Sequence, residues 1–216
     1  MSGALVKLYL DIRAQVAAHD DWVEDIVYYD TRNLEHLPEQ EFLSEVAWCV
    51  FNSGMREAVV KKKWPALMRA FRDFRAARIC HEELVVRIEA HREFGHHGKI
   101  NAVIRAAQFL VCEGWERTRA DIAKGGPDYL EETFPFIGPV TKYHLAKNIG
   151  FDCVKPDRHL VRVTEAAGYD SPEVLCQAIK DETGDRLAVI DYVIWRYAAS
   201  INTDYMDAFK GVRTGS

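Results

Sequence analysis

The 216-residue sequence lacks any apolar run that approaches the roughly 20 residues needed to cross a bilayer. Its first ten residues carry no signal-peptide pattern. Cysteines are few, and their spacing is too wide for a CxxC zinc site or a disulfide framework: they are Cys49, Cys80, Cys112, Cys153 and Cys176. These absences predict a cytoplasmic protein with reduced thiols, no membrane association and no metal site.

Neither sign of charge dominates the chain, which has 28 Lys and Arg, 33 Asp and Glu, and a net charge of −5. This balance excludes a polybasic, histone-like protein. Residues 56–105 nevertheless hold 12 basic and 6 acidic side chains, a local charge of +6. The basic run is either a solvated helix face or a set of phosphate contacts, and it comprises Lys61, Lys62, Lys63, Arg69, Arg72, Arg75 and Arg78.

Alternating strand patterns are scarce, whereas apolar residues recur at three- and four-residue spacing along the whole chain. Leu5, Leu8, Ile12 and Val16, for example, share one face of an opening helix. The sequence therefore predicts an all-α protein of one domain, or of two small interlocked domains. Predicted helices cover residues 42–51, 55–74 with a break at Trp64–Pro65, 82–94, 99–112, 125–134, 139–149, 156–167, 171–183 and 186–201.

Residues 132–163 are the most informative stretch. Residues 134–141, FPFIGPVT, predict a helix end, a tight turn and a new helix that begins at Pro139 or Val140. A helix–hairpin–helix of this kind leaves backbone N–H groups free to bind phosphate without sequence preference. A proline–glycine turn also occurs in any all-α protein, so the turn by itself decides nothing.

Two strings together resemble the helix–hairpin–helix (HhH-GPD) DNA glycosylase superfamily, which includes endonuclease III, the adenine-mismatch glycosylase and 3-methyladenine glycosylase II. The family hairpin reads LPGVGxxTA, and residues 134–141 match it. A VDxHVxR string with the catalytic aspartate follows in the family, and residues 154–162, VKPDRHLVR, match that string. Residues 98–104 and 44–56 are similar to the family's helix before the hairpin and to its early helix with the duplex-probing loop.

The resemblance implies a two-lobed, all-α glycosylase fold. Residues 36–149 would form a helical barrel domain, with the helix–hairpin–helix at about residues 128–149. Residues 1–30 and 150–216 would form the second lobe, because family members return the C-terminus to the N-terminal helix. The catalytic aspartate is then expected in the cleft between the lobes.

Asp157 supports two compatible interpretations. It follows Pro156 and precedes the apolar periodicity that begins at Leu160, as an ordinary helix N-cap does. The resemblance implies instead that its carboxylate is catalytic. Cleavage of an N-glycosidic bond builds positive charge on the sugar, which a fixed carboxylate stabilises while it orients or deprotonates the attacking water.

Three departures from the family pattern narrow the expected chemistry. Phe136 stands where the hairpin has its first glycine, and Val140 stands where bifunctional members carry a Schiff-base lysine. Lys142 lies two residues further on, about 200° around the helix. Only Cys176 follows Asp157, so the four thiolates of an iron–sulfur cluster are missing.

The resemblance therefore implies a monofunctional DNA glycosylase of base-excision repair. One alternative is a bifunctional glycosylase/AP lyase that uses Lys142 or Lys155. Another is a non-catalytic helix–hairpin–helix DNA-binding module, and the third is a helical protein unrelated to nucleic acid.

The implied partner is double-stranded DNA with a damaged, mispaired or modified base, bound by a monomer that is nucleoid-associated if the source is prokaryotic. No cofactor is required; a structural Na+ or K+ at the hairpin is optional, and no iron–sulfur cluster is expected. The predicted DNA contacts are Phe136, Ile137, Gly138, Pro139, Val140, Thr141, Lys142, Asn52, Ser53, Met55, His97, Lys99 and Arg162. Of these, Asn52 or Met55 is the expected wedge into the duplex.

The remaining candidate site residues are the lining of the base pocket and three histidines. Trp48 and Tyr143 are the expected lining of the base pocket. His91, His96 and His97 fall at one turn, but no cysteine or carboxylate completes a ligand spacing. We interpret them as solvated turn residues, with His96 or His97 within reach of the DNA backbone.

Overall fold

A computed structural model of the chain describes residues 3–202 and 204–212, and within this part every regular element is helical. The chain divides into two compact units. The terminal unit consists of the described parts of residues 1–32 and 150–216, and the central unit consists of residues 33–149. No helix in the described ranges is both long and apolar enough to cross a membrane.

The terminal unit contains the first two and the last four helices. They are α1 (Gly3–Ala17), α2 (Asp20–Thr31), α10 (Arg158–Ala167), α11 (Pro172–Thr183), α12 (Leu187–Arg196) and α13 (Tyr205–Phe209), with a π-helical turn at Tyr197–Ile201. Leu5, Tyr9, Ile12 and Val16 follow the helical period of α1 and are fully buried where α1 packs on α2, α11 and α12. The hydroxyl of Tyr9 donates to Oδ2 of Asp185 at 2.5 Å, which ties α1 to the start of α12.

The central unit contains the other seven helices. They are α3 (Glu39–Asn52), α4 (Glu57–Ala70), α5 (Ala76–His81), α6 (Glu83–Phe94), α7 (His97–Glu113), α8 (Trp115–Thr133) and α9 (Thr141–Asn148), with 3-10 turns at Leu34–His36 and Arg72–Phe74. Aromatic contacts join them: Phe42 stacks on Trp115 with ring centroids 4.9 Å apart, and Phe51 meets Phe94 edge-on at 4.6 Å.

The predicted break at Trp64–Pro65 is wrong, because α4 runs continuously through Pro65. A proline in a helix removes one backbone donor, and the carbonyl that loses its partner belongs to Lys61, which is exposed to water. The helix ends at Ala70, earlier than predicted. It is followed by the turn Arg72–Phe74, in which all three residues adopt positive φ (55°, 53° and 57°).

Helix α8 also differs from the prediction, since it begins at Trp115 rather than near residue 125. Gly126 has a φ of 60° and a ψ of −148°, so the helix is kinked there. The predicted short helix is therefore only the part of α8 after the kink. That part leads directly into residues 134–140, which connect α8 to α9.

Candidate functional site

Asp157 is the N-cap of α10 in the terminal unit. Its backbone is extended (φ −85°, ψ 172°), and its Oδ1 accepts from the N–H groups of His159 at 2.9 Å and Leu160 at 3.1 Å. This is the geometry that the local sequence predicted, since an aspartate before an amphipathic helix satisfies the first free donors. Both cap bonds use Oδ1, which leaves Oδ2 outside the cap. The half-buried carboxylate therefore has one oxygen available for another partner.

The segment before Asp157 is anchored to α12. The N–H group of Lys155 donates to Oδ2 of Asp191 at 2.5 Å, and Asp191 is only 2% exposed. Val154 is buried next to this anchor. The N–H group of Asp157 then donates to the carbonyl of Lys155 at 2.7 Å, which turns the chain into α10. The position of the Asp157 carboxylate is thus fixed by a buried side chain more than thirty residues away in the sequence.

His159 lies half-buried on the first turn of α10, and its ring contacts that of Tyr205 with centroids 5.6 Å apart. Burial lowers the pKa of His159, and the positive charges of Arg158, Arg162 and Lys155 lower it further, while Asp157 acts in the opposite direction. The imidazole is therefore neutral at neutral pH. Arg162, predicted to contact DNA, is exposed on the same helix.

The hairpin is formed by the residues between α8 and α9. Phe134 is buried, and its N–H donates to the carbonyl of Leu130 at 3.1 Å. The N–H of Ile137 donates to the carbonyl of Phe134 at 3.2 Å, which closes the turn. Val140 is the N-cap of α9, and no side chain in the described chain caps this terminus. The N–H of Lys142 in the first turn of α9 donates to the carbonyl of Gly138 at 2.9 Å, so this end of α9 presents to an anion chiefly the positive end of the helix dipole.

Phe136 shows how the hairpin accommodates a side chain at the position where the superfamily has glycine. Its φ is 66°, so the backbone keeps the left-handed conformation that glycine adopts most readily. Gly138, in contrast, is not among the residues with positive φ. The predicted turn is therefore present, with its left-handed residue at Phe136.

Lys142 is engaged in two ion pairs within the central unit. Its Nζ lies 2.7 Å from Oδ1 of Asp128 and 2.6 Å from Oε2 of Glu131. Hydrogen bonds to these two carboxylates raise the pKa of Lys142. A lysine nucleophile must lose its proton, so this environment disfavours the alternative in which Lys142 is the working amine. It also leaves little of the side chain for a phosphate.

The loop after α3 contains the predicted wedge residues. Asn52 donates its Nδ2 to the carbonyl of Trp48 at 2.9 Å, so its side chain is held against its own helix. Ser53 is half-buried, and Gly54 has a φ of 68°. Met55 is 43% exposed, and its backbone N–H donates to the carbonyl of Asn52 at 3.0 Å.

Lys99 was predicted to contact DNA, and its position argues against that role. The side chain is only 4% exposed, and its Nζ donates to the carbonyls of Phe51 at 2.8 Å and Ser53 at 2.6 Å. Burial lowers the pKa of Lys99. The ammonium group donates to carbonyls at the C-terminal end of α3, so in this structure it is engaged there and is not presented to a phosphate.

The remaining predicted residues lie on the central unit. Trp48 is half-buried and meets Trp64 edge-on with ring centroids 5.0 Å apart. Tyr143 is also half-buried, and the Nζ of Lys142 lies 5.5 Å from the centroid of its ring. His97 is exposed and stacks on His91 with ring centroids 3.9 Å apart.

The basic run on α4 is partly occupied by contacts of its own. Lys63 donates to the carbonyl of Glu93 at 2.6 Å, whereas Lys61 and Lys62 are exposed. His96 is the N-cap of α7, and its side chain accepts from the N–H of Lys99. Across residues 3–202 and 204–212, no group of three or more histidine, cysteine or acidic side chains is arranged to hold a metal ion.

The fold of the chain is similar to that of a known DNA glycosylase. One similar structure is the crystal structure of Methanocaldococcus jannaschii 8-oxoguanine glycosylase/lyase in complex with a 15-mer DNA containing 8-oxoguanine, with a TM-score of 0.60 and 16% sequence identity. The match covers 92% of this chain and 98% of that one. The chain has a helical DNA glycosylase fold. No family model and no curated protein matches it in sequence.

This similarity bears on the expectations from the sequence. It confirms the all-α glycosylase fold, and it does not single out endonuclease III or 3-methyladenine glycosylase II as the nearer model. The roles of individual residues in the two matching strings remain predictions.

Two polar contacts at the site were missed by the sequence analysis. One is the anchor between Asp191 and Lys155. The other joins α9 to α3, where Nδ2 of the buried Asn148 donates to Oε2 of Glu45 at 2.8 Å. An aspartate within the apolar run of α12 was the available signal for the first contact, since a buried carboxylate requires hydrogen-bond donors.

Proposed function

We propose that the protein is a DNA N-glycosylase of base-excision repair, which hydrolyses the bond between a damaged, mispaired or modified base and its deoxyribose and leaves an abasic site. One observation carries this proposal: a helical DNA glycosylase fold has Asp157 at the N-cap of α10, within the string VKPDRHLVR. The substrate is duplex DNA, bound by a monomer.

Asp157 is proposed to be the catalytic carboxylate. Its negative charge stabilises the positive charge that develops on the sugar as the bond to the base lengthens. Oδ1 is held by the two cap bonds, so Oδ2 is the oxygen that faces the reaction. Water adds to C1′ and gives its proton to the carboxylate, and the base leaves with the bonding electrons and takes up a proton from solvent.

Duplex DNA is proposed to bind through backbone and side-chain contacts of the central unit. The uncapped N-terminus of α9 binds one phosphate, and the exposed Lys61 and Lys62 contact others. Met55 is the better candidate for the wedge that fills the gap left by the extruded base, because Asn52 is bonded to its own helix.

The reaction is proposed to stop at base release. Val140, at the superfamily's lysine position, has no nitrogen that could attack C1′, and Lys142 is paired with two carboxylates. The similar solved structure is described as a glycosylase/lyase, so lyase activity through Lys155 is the alternative to test. Borohydride reduction in the presence of abasic DNA would trap a covalent adduct if a lysine were the nucleophile.

A panel of single-lesion duplexes tests the proposal directly. It contains 8-oxoguanine, uracil, an alkylated purine and an A·G mismatch, with an undamaged duplex of the same sequence as the control. Hot alkali converts each abasic product into a strand break. Release of at least one base, with the control intact, supports the glycosylase. Salt-dependent DNA binding without release from any duplex would instead support the non-catalytic DNA-binding module.

A further inference from the structure

Two buried polar atoms lie on neighbouring rings of the terminal unit, and neither has a hydrogen-bond partner within residues 3–202 and 204–212. They are Nδ1 of His159 on α10 and the hydroxyl oxygen of Tyr205 on α13. The ring centroids are 5.6 Å apart, and Tyr205 is only 5% exposed. A buried polar atom without a partner costs stability, so folded proteins nearly always pair such atoms. Two of them on adjoining side chains indicate one shared contact.

The two atoms are complementary as donor and acceptor. The neutral imidazole of His159 accepts at Nε2 from Nε of Arg158 at 3.4 Å. A neutral imidazole carries its one proton on the other nitrogen, so we assign that proton to Nδ1. The hydroxyl of Tyr205 accepts as well as donates, and it can therefore pair with the Nδ1–H group, directly or through one water.

Tyr205 is held in place by its own surroundings. Nδ2 of Asn202 donates to the hydroxyl of Tyr197 at 2.9 Å, and Oδ1 of Asn202 accepts from the N–H of Asp204 at 2.9 Å. These bonds tie the start of α13 to the π-helical turn, and the fully buried Phe209 holds the other end of α13. The ring of Tyr205 is therefore an anchored partner for α10.

His159 connects this anchor to the proposed catalytic carboxylate. Its backbone N–H donates to Oδ1 of Asp157 at 2.9 Å, so the position of His159 sets the direction of one cap bond. A catalytic group must be held within about 0.5 Å of its productive position. A contact that fixes the ring of His159 therefore also fixes the turn that holds the carboxylate.

We propose that Tyr205 is a positioning residue for base release. Its hydroxyl pairs with the Nδ1–H group of His159 and thereby holds the first turn of α10, with Asp157, in place. The proposal rests on the proposed function, in which Asp157 performs the chemistry. It adds to that function a residue of α13, which lies outside the two strings that resemble the superfamily.

The pairing is measured on the full chain without DNA, by NMR of the histidine ring nitrogens. His159→Phe identifies the signals of His159 by their loss, and it keeps a ring against Tyr205. We expect the Nδ1 proton of wild type to exchange slowly with solvent. Tyr205→Phe removes only the hydroxyl, so the Nδ1 signal is expected to shift and its proton to exchange faster. An Nδ1 signal that is unchanged in Tyr205→Phe would overturn the pairing.

Positioning is measured by single-turnover base release from the lesion duplex that wild type cleaves fastest. We expect Tyr205→Phe to lower the rate about tenfold and to leave the dissociation constant for DNA unchanged, because the carboxylate is displaced and the DNA contacts are not. His159→Phe lowers the rate to a similar extent. The double variant shows no further loss, because Tyr205 acts through His159. A wild-type rate in Tyr205→Phe, or losses that multiply in the double variant, would refute the positioning role.

Tyr9→Phe is the matched control, because it also removes the hydroxyl of a buried tyrosine in the terminal unit. That hydroxyl donates to Asp185 and not to α10, so this variant melts at a lower temperature and releases base at the wild-type rate. A hydroxyl without a partner would destabilise the fold, so a melting temperature of Tyr205→Phe above that of wild type would also contradict the pairing. If wild type releases no base from any duplex while the Nδ1 signal changes in Tyr205→Phe, the glycosylase proposal and the positioning role fail together, and the pairing stands.

Discussion

Replacing Lys99 with methionine tests whether a buried ammonium group holds the loop after α3. The change keeps the length of the side chain and removes two charge-assisted hydrogen bonds, at 2.8 and 2.6 Å, to the carbonyls of Phe51 and Ser53. A hydrogen bond to a charged group contributes about 1.5–3 kcal/mol to stability. Part of the stability lost with the two bonds is recovered, because the variant no longer buries a charge. We expect a net destabilisation of about 2–3 kcal/mol.

For a protein of this size, that loss lowers the melting temperature by about 4–12 °C, measured by calorimetry or circular dichroism. Lys62→Met on the exposed side of α4 is the matched control and changes stability by no more than about 0.5 kcal/mol. A melting temperature for Lys99→Met equal to that of the control would refute the reasoning, because the two carbonyls would then not depend on this side chain.

The pH dependence of the same variant has a definite sign. Burial lowers the pKa of Lys99 in the folded protein, so the unfolded chain binds more protons in the alkaline range below the ordinary lysine value of about 10.4. The free energy of unfolding of wild type therefore gains a contribution from Lys99 as pH rises through this window. Lys99→Met lacks that gain, so the stability difference between the two proteins grows with pH.

Three further outcomes are expected. Val140→Lys introduces an amine at the superfamily's nucleophile position, beside a helix N-terminus that lowers the pKa of the amine. This variant is expected to form a borohydride-trappable adduct on abasic DNA. Lys142→Ala is expected to leave base release intact, because the ammonium group of Lys142 is paired with two carboxylates. Replacing the lysines at 61–63 with alanine lowers the slope of log K against log salt by about one unit or more if they contact phosphates, and an unchanged slope makes them a solvated face. Burial lowers the pKa of His159, so near pH 6 the unfolded chain binds more protons than the folded protein. Wild type therefore loses stability as pH falls from about 7 to 5, and His159→Gln is expected to lose less stability over the same range.

Much of the fold could be predicted because local sequence and tertiary packing agree. The apolar period of α1 predicted the face that is buried, and Ser171 predicted the start of α11, where its hydroxyl oxygen accepts from the N–H of Val174. Pro65 misled because its effect depends on burial. A proline deprives the carbonyl four residues earlier of its partner, and here that carbonyl belongs to the exposed residue Lys61.

The site was less accessible to prediction, because side-chain partners are set by contacts far apart in sequence. Asp157 could be placed, since a cap depends only on the three residues that follow it. The bonds of Lys99 join residues 48 and 46 positions apart, and those of Lys142 reach back across the hairpin. From sequence alone these lysines resemble any other cation near a DNA-binding turn, which is why their structural roles appear only in three dimensions.

Asp157→Asn provides the most direct test of the central claim, that this carboxylate performs the chemistry. Asparagine caps helices about as well as aspartate, so the variant keeps the cap of α10 and removes only the charge. Asp157→Ala, which also loses the cap, is expected to be destabilised by about 0.5–2 kcal/mol and separates the two roles.

The measurement is single-turnover base release from whichever lesion duplex wild type cleaves fastest, with DNA affinity and melting temperature determined in parallel. We expect Asp157→Asn to melt and bind DNA as wild type does and to release no measurable base. Base release by Asp157→Asn at the wild-type rate would contradict a catalytic role and leave Asp157 as a helix cap only.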